Sequence, residues 1–167
     1  MADDVALDIY ALTNPAFWSL ALTKFVAGYQ RSTREKTAAG CPYPLLFLPM
    51  PLVYSREALG RFDGTNRNTG LLTWLERHPI VRATAADEIR AAKPYTQRAL
   101  TFALAHGALV TPDGWSYGPS SASRWRKAPW PVKSDPRGAV LQACHRLGQW
   151  CSVTDNATIF IALGARP

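Results

Sequence analysis

The sequence predicts a mainly α-helical fold of the α+β class, in which a small β-hairpin lies among the helices of a single domain, residues 1–167. Helix-start signals, in which a capping residue precedes proline, occur at Asn14-Pro15 and Asp135-Pro136. Behind each start, apolar residues recur at the spacing of one helix face. A hydrophobic content of 47% in 167 residues allows a buried core without a metal or a disulfide.

The first predicted helix begins at Pro15. Trp18, Leu22, Phe25 and Tyr29 follow at i, i+4, i+7 and i+11, so they lie on one face of that helix. This face is expected to pack into the core.

A proline-rich stretch follows the first helix. Residues 40–44, Gly-Cys-Pro-Tyr-Pro, predict a turn or loop. The apolar run 44–53 is broken by prolines, which disfavour both a regular helix and a central strand. We therefore expect a buried, mostly extended segment, followed by a short helix near Ser55–Phe62.

Residues 69–118 predict a winged-helix-like unit of three helices and a hairpin. The first helix starts at Thr69 and stops at His78-Pro79. The second runs from there to about Ala92, where Lys93-Pro94 is expected to break it. The third covers about Tyr95–His106.

The hairpin that would complete this unit consists of residues 108–111 and 115–117 around a Pro-Asp-Gly turn. A basic loop, residues 119–134, separates it from the next helix. That helix carries one apolar face, formed by Val140, Cys144, Leu147 and Cys151.

The last predicted helix, Ala157–Leu163, has Asp155 or Asn156 as its cap and ends at Gly164. Because Ile159-Phe160-Ile161 within it is apolar on all sides, we expect the helix to be buried although it lies near the chain terminus.

From the sequence we predict that the chain is not an enzyme and has no catalytic, cofactor-binding or metal-binding residues. Cys144 and His145 are adjacent on a helix, so their side chains diverge. No Cys or His pairs occur at zinc-ligand spacing, and no phosphate-binding glycine loop is found. Core positions are the expected environment of Cys144 and Cys151.

The cysteine count and the apolar pattern favour a cytoplasmic protein. Three cysteines are an odd number for a disulfide framework, which favours a reducing compartment. The longest apolar run, at 44–53, is about half the length of a membrane-spanning helix. Residues 1–4 lack the positive region of a signal peptide.

A net charge of +7 suggests contact with nucleic acid. One candidate contact is Arg98 on the third predicted helix. The others are basic residues interleaved with Trp in the loop: Arg124, Trp125, Arg126, Lys127 and Lys133. Two other interpretations of the loop are an acidic protein partner and a solvated segment. Because the helix carrying Arg98 is poor in exposed basic residues, a protein-docking role fits the unit at least equally well.

Apolar side chains beyond the needs of a small domain suggest a subunit interface. The candidates lie in the proline-broken run and the last helix: Leu46, Phe47, Leu52, Ile159, Phe160 and Ile161. Simple burial in the core is the alternative for both groups.

Several short segments, in this order, carry a family resemblance. They are Asn14-Pro15-Ala16 with Gly28-Tyr29, Pro44–Phe47 with Pro51–Val53, Lys93–Thr96, Leu147–Trp150, and the closing residues from Leu163 to Pro167. Together they resemble the small middle component, or C subunit, of bacterial three-component ABC-ATPase systems, the group that includes the Lamassu anti-phage defence systems. The resemblance spans nearly the whole chain.

This resemblance implies a non-catalytic adaptor subunit that links an SMC/Rad50-like ABC ATPase to an effector, often a nuclease. Such an anti-phage or anti-plasmid defence complex would sense DNA. The charge of this chain makes double-stranded DNA a further candidate partner within the complex, and its apolar pattern predicts no contact with a membrane. The alternative is a stand-alone winged-helix transcriptional regulator that binds DNA as a homodimer.

Overall fold

A computed structural model of the chain describes residues 14–32, 40–54, 56–120 and 136–165. In these ranges the fold is mainly α-helical with a small antiparallel sheet, which confirms the predicted fold class. The α-helices are α1 (Pro15–Ser32), α2 (Pro49–Val53), α3 (Arg56–Gly60), α4 (Leu71–Arg77), α5 (Pro79–Ala105), α6 (Pro136–Ser152) and α7 (Asn156–Ala162). The strands are β1 (Cys41–Pro42), β2 (Leu109–Val110) and β3 (Ser116–Pro119), and a 3-10 helix spans Tyr43–Phe47.

The predicted start of α1 is confirmed. The Asn14 side-chain oxygen Oδ1 accepts hydrogen bonds from the backbone N–H groups of Ala16 and Phe17, at 3.0 and 3.2 Å. These bonds satisfy two donors that have no partner within the helix. The predicted apolar face is buried in the core except for Tyr29, which is half-buried.

The α1–α6 pair forms the centre of the core, and its two helices approach unusually closely. A β-carbon at Gly28 would overlap the carbonyl oxygen of His145, and one at Gly148 would overlap that of Phe25. The missing side chains therefore let the two backbones come into contact. All four residues of the predicted α6 face are buried, as expected.

The predicted break at Lys93-Pro94 is wrong, because Pro79–Ala105 is one continuous helix with Pro94 inside it. The residues that face the core recur at steps of three or four positions on both sides of the proline: Val81, Ala85, Ile89, Ala92, Thr96, Ala99 and Ala103. Burial along this face outweighs the lost backbone hydrogen bond, which costs about 3 kcal/mol. A separate third helix, which a winged helix requires, is therefore absent from residues 69–118, all of which the structure describes.

The expectation of a mostly extended apolar run at 44–53 is also wrong, although its burial is confirmed. The run forms the 3-10 helix and α2, and Leu45, Leu46 and all of α2 are buried. Pro49 and Pro51 both lie in the first turn of α2. The N–H groups of a first turn have no partner within the helix, so proline removes no hydrogen bond there.

The predicted hairpin is confirmed as β2 and β3, and a third strand extends it. The sheet order is β1-β3-β2, with both neighbouring pairs antiparallel. β1 lies in the segment predicted as a turn or loop, and Cys41 pairs with Tyr117. Next to it, the Gly40 N–H donates to Ser116 Oγ at 3.0 Å. A strand is recognised in a sequence by apolar and polar side chains that alternate along it, and β1, with two residues, is too short to show this pattern.

The last helix, α7, matches its predicted range to within one residue. The Asp155 carboxylate accepts a hydrogen bond from the Thr158 N–H at 3.1 Å, which makes Asp155 the cap. Gly164 follows the helix with a φ of 62°, a conformation that glycine adopts without strain. α7 packs against α4.

Candidate interaction surface

The three cysteines are buried, free thiols. Burial raises the pKa of each thiol, and Cys144 and Cys151 lie fully inside the core. The neighbouring Cys151 raises the pKa of Cys41 further. The thiol is therefore the stable form, whereas a cysteine nucleophile or metal ligand acts as the thiolate. Core packing is the role that this environment gives them.

Metal-ligating side chains do not converge in the part of the chain that the structure describes. No group of three or more His, Cys, Asp or Glu residues there is placed to hold an ion. Nor does any helix in these ranges combine the length and apolarity needed to cross a membrane.

Most of the predicted partner-interface residues pack within this chain. Leu46, Leu52, Ile159 and Phe160 belong to the hydrophobic core, and Phe47 is half-buried. Ile161 is different, because 77% of its surface is exposed on α7. The expected burial of the apolar segment at 159–161 therefore holds for Ile159 and Phe160, whereas Ile161 faces the exterior.

The predicted nucleic-acid contacts divide between one described residue and a group outside the described ranges. Arg98 is exposed on α5. Arg124, Trp125, Arg126, Lys127 and Lys133 lie outside the described residues.

A groove of about 560 Å³ lies between the C-terminal half of α5 and the sheet; we call it the hairpin groove. Its lining combines aromatic, neutral polar and aliphatic side chains: Tyr43, Trp115 and Tyr117, Gln97 and Thr101, and Leu100 and Leu104. None of the described residues lining it carries a charged side chain. The rings of Tyr43 and Tyr117 lie 5.9 Å apart, and Tyr43 meets Phe47 edge to face at 5.1 Å. Burial and the neighbouring Tyr43 raise the pKa of Tyr117, so its hydroxyl group stays neutral.

Trp115 is 84% exposed, yet its backbone is fixed at the tip of the hairpin. The Asp113 carboxylate accepts hydrogen bonds from the N–H groups of Trp115 and Ser116, at 2.9 and 2.7 Å. Its other oxygen accepts from Ser116 Oγ at 2.7 Å, and Gly114 takes a φ of 79° to complete the turn. The bonds from Ser116 and Trp115 lower the pKa of Asp113 to about 2.

A second groove, of about 610 Å³, lies on the other side of α5; we call it the Pro94 groove. Pro15, Pro94 and Phe102 form much of its apolar lining, and Arg98 and His106 are among its polar residues. Gln97 and Thr101 line both grooves, so they form the ridge between them.

Sequence reasoning missed the hairpin groove. It placed Trp115 in a strand of the hairpin but assigned it no site, and it treated Tyr43 as part of a loop. The available signal was the Pro-Asp-Gly turn directly before Trp115, because the tip of a hairpin projects a large aromatic side chain into solvent. The contact between Tyr43 and Tyr117 depends on strand pairing across the whole chain, which the local sequence does not encode.

Comparison with known proteins identifies a family. Residues 3–167 match the family model described as the ABC-three component (ABC-3C) system Middle Component 3. No match was found among curated proteins or among solved structures.

Proposed function

Because the chain belongs to the Middle Component 3 family of ABC-three component systems, we propose that it is a non-catalytic adaptor subunit of such a system. In this role it links an SMC/Rad50-like ABC ATPase to an effector, a nuclease, within a Lamassu-type complex that senses DNA and defends against phages or plasmids. The chain contributes binding surfaces, and its partners contribute the chemistry.

The observation that carries this proposal is the extent of the family match, which covers residues 3–167 and therefore the whole fold described above. Two structural observations support it. Large apolar side chains remain exposed at Ile161 and Trp115 although the chain has an ordinary buried core. The three cysteines are protonated and enclosed, which suits a chain that supplies no nucleophile.

The proposed contact with double-stranded DNA rests on charge. Arg98 is exposed on α5, and the basic residues between Arg124 and Lys133 add a concentrated positive segment. Basic side chains of this kind neutralise phosphates without selecting a base sequence. An adaptor that holds DNA next to an ATPase needs affinity of this kind rather than sequence readout.

A stand-alone winged-helix regulator is less well supported. Such a regulator reads bases with a separate recognition helix in the major groove. Here the candidate contact Arg98 belongs to the 27-residue helix α5, which also supplies part of the core.

The proposal is tested by expressing the tagged chain together with the proteins encoded by the neighbouring genes. We expect an ABC ATPase to co-purify with the chain through a salt wash and a sizing column. Recovery of the chain alone, with the ATPase present and folded in the same cells, would contradict the adaptor role.

A further inference from the structure

We propose that the hairpin groove binds an uncharged, proline-rich, extended segment of a partner protein. This inference deepens the adaptor role and rests on it for the identity of the partner, another component of the same system. The chemistry of the bound segment follows from the groove itself.

The charge of the lining determines what kind of segment fits. The chain carries a net charge of +7, but the described residues lining the groove are neutral. A phosphate backbone or an acidic peptide placed there would lose hydration without gaining a counter-charge from the described lining residues. The best match is therefore a segment whose inserted side chains are uncharged.

The aromatic side chains favour proline. Trp115 and Tyr43 present partly or largely exposed rings beside Tyr117, and grooves lined by such rings take the prolyl rings of a polyproline II helix. The backbone of that helix has no internal hydrogen bonds, so its carbonyl groups remain free. The Gln97 amide and the Thr101 hydroxyl, both in the lining, are donors suited to those carbonyls.

The bonds around Asp113 make Trp115 a preorganised anchor. The Asp113 carboxylate fixes the backbone of Trp115 and Ser116, and Ser116 Oγ also accepts the Gly40 N–H of the strand β1 segment. Binding therefore orders little more than the indole side chain, which lowers the entropic cost of association. Exposed tryptophans with this support are frequent hot spots of interfaces.

The test uses a blocked, uncharged decaproline peptide as the probe, titrated into the isotope-labelled full chain and followed by NMR. A blocked Gly-Ser decapeptide is the matched control. We expect saturable shifts at Trp115, Tyr43 and Tyr117 with decaproline alone. Trp115→Ala and Tyr43→Ala should each weaken binding by about tenfold or more.

Two further variants separate the groove from its surroundings. Thr101→Arg places a charge in the lining at an exposed position and should also weaken binding. Arg98→Ala lies in the Pro94 groove alone and should leave the affinity unchanged within about twofold. Unchanged signals from α1 and α6 in each variant verify the fold.

The proposal is overturned if decaproline produces no saturable shift at the groove, if the Gly-Ser peptide shifts the same signals, or if an acidic peptide or a DNA duplex binds there instead. If decaproline does not bind but the chain still joins the ATPase, only this inference is refuted. Peptide binding by a chain that joins no ATPase refutes only the adaptor role.

Discussion

Gly28 in α1 and Gly148 in α6 make reciprocal contacts, because each lies against a backbone carbonyl of the opposite helix. Gly28 meets the carbonyl of His145, and Gly148 meets that of Phe25. The obstacle to a side chain at either position is backbone, which cannot move aside as a flexible side chain can. The distance between the two central helices therefore depends on the absence of both β-carbons.

Gly28→Ala should lower the free energy of unfolding by at least about 2 kcal/mol, because α1 and α6 must move apart to admit the methyl group. In a helix without such a contact, replacing glycine by alanine raises stability by about 1 kcal/mol. A loss of stability would therefore indicate the steric contact. The measurement is urea unfolding followed by circular dichroism. Gly60→Ala at the end of α3 is the matched control, since a β-carbon there meets nothing within 4 Å. Equal stability of the two variants would contradict the close approach.

Asp113 should make the stability of the hairpin pH-dependent. Its pKa is lowered from 3.8 to about 2 in the folded chain, so the folded state favours the ionised carboxylate. The stabilisation is therefore fully present above about pH 4 and is lost as the pH falls towards 2. Asp113→Asn should remove this part of the dependence, which unfolding experiments between pH 2 and pH 5 would detect. A variant whose stability falls with the same steepness as that of the parent chain would rule out this contribution from Asp113.

Ile161→Asp should weaken the assembly without unfolding the chain. The side chain is 77% exposed, so the substitution removes no core contact, while an aspartate buried against a partner lacks a counter-charge. We expect the dissociation constant for the ATPase to rise about tenfold or more in a binding assay. Asn156→Asp makes the same change of charge at an exposed position of α7 and should have little effect. Equal effects of the two variants would argue against an interface at Ile161.

The triple substitution of Arg124, Arg126 and Lys127 by Glu should weaken DNA binding by the assembly. If each residue contacts a phosphate, the slope of log affinity against log salt should fall by roughly three units. Fluorescence anisotropy with a duplex at several salt concentrations measures this slope.

The matched control for this variant replaces Arg67, Arg77 and Arg82 by Glu, which changes the net charge equally at exposed positions of the described chain. An unchanged affinity and slope for the loop variant would assign those three residues to a protein partner or to solvent.

The features that sequence reasoning predicted are those encoded within a few residues. Asn14 precedes Pro15 and caps α1, and the i, i+4, i+7 spacing behind it identifies the buried face. Asp155 likewise caps the last helix. In each case the hydrogen-bonding residue and its partner are neighbours in the chain, so the local sequence contains the whole signal.

The errors arose where packing outweighs a local preference. Pro94 disfavours a helix, but the core-facing residues before and after it keep the same helical spacing. That continuous spacing predicts one helix more reliably than the proline predicts a break. Pro49 and Pro51 suggested an extended chain although both fit the first turn of a helix. The hairpin groove depends on Tyr43 reaching Tyr117 across the sheet, a contact that no local pattern contains.

The central claim is that this chain functions as a subunit rather than alone. The most direct measurement is native mass spectrometry of the chain co-expressed with the proteins encoded by the neighbouring genes, among which the account expects an ABC ATPase. The account predicts a complex whose mass contains both proteins and from which Ile161→Asp releases this chain. A homodimer of the chain that leaves the ATPase unbound would contradict it.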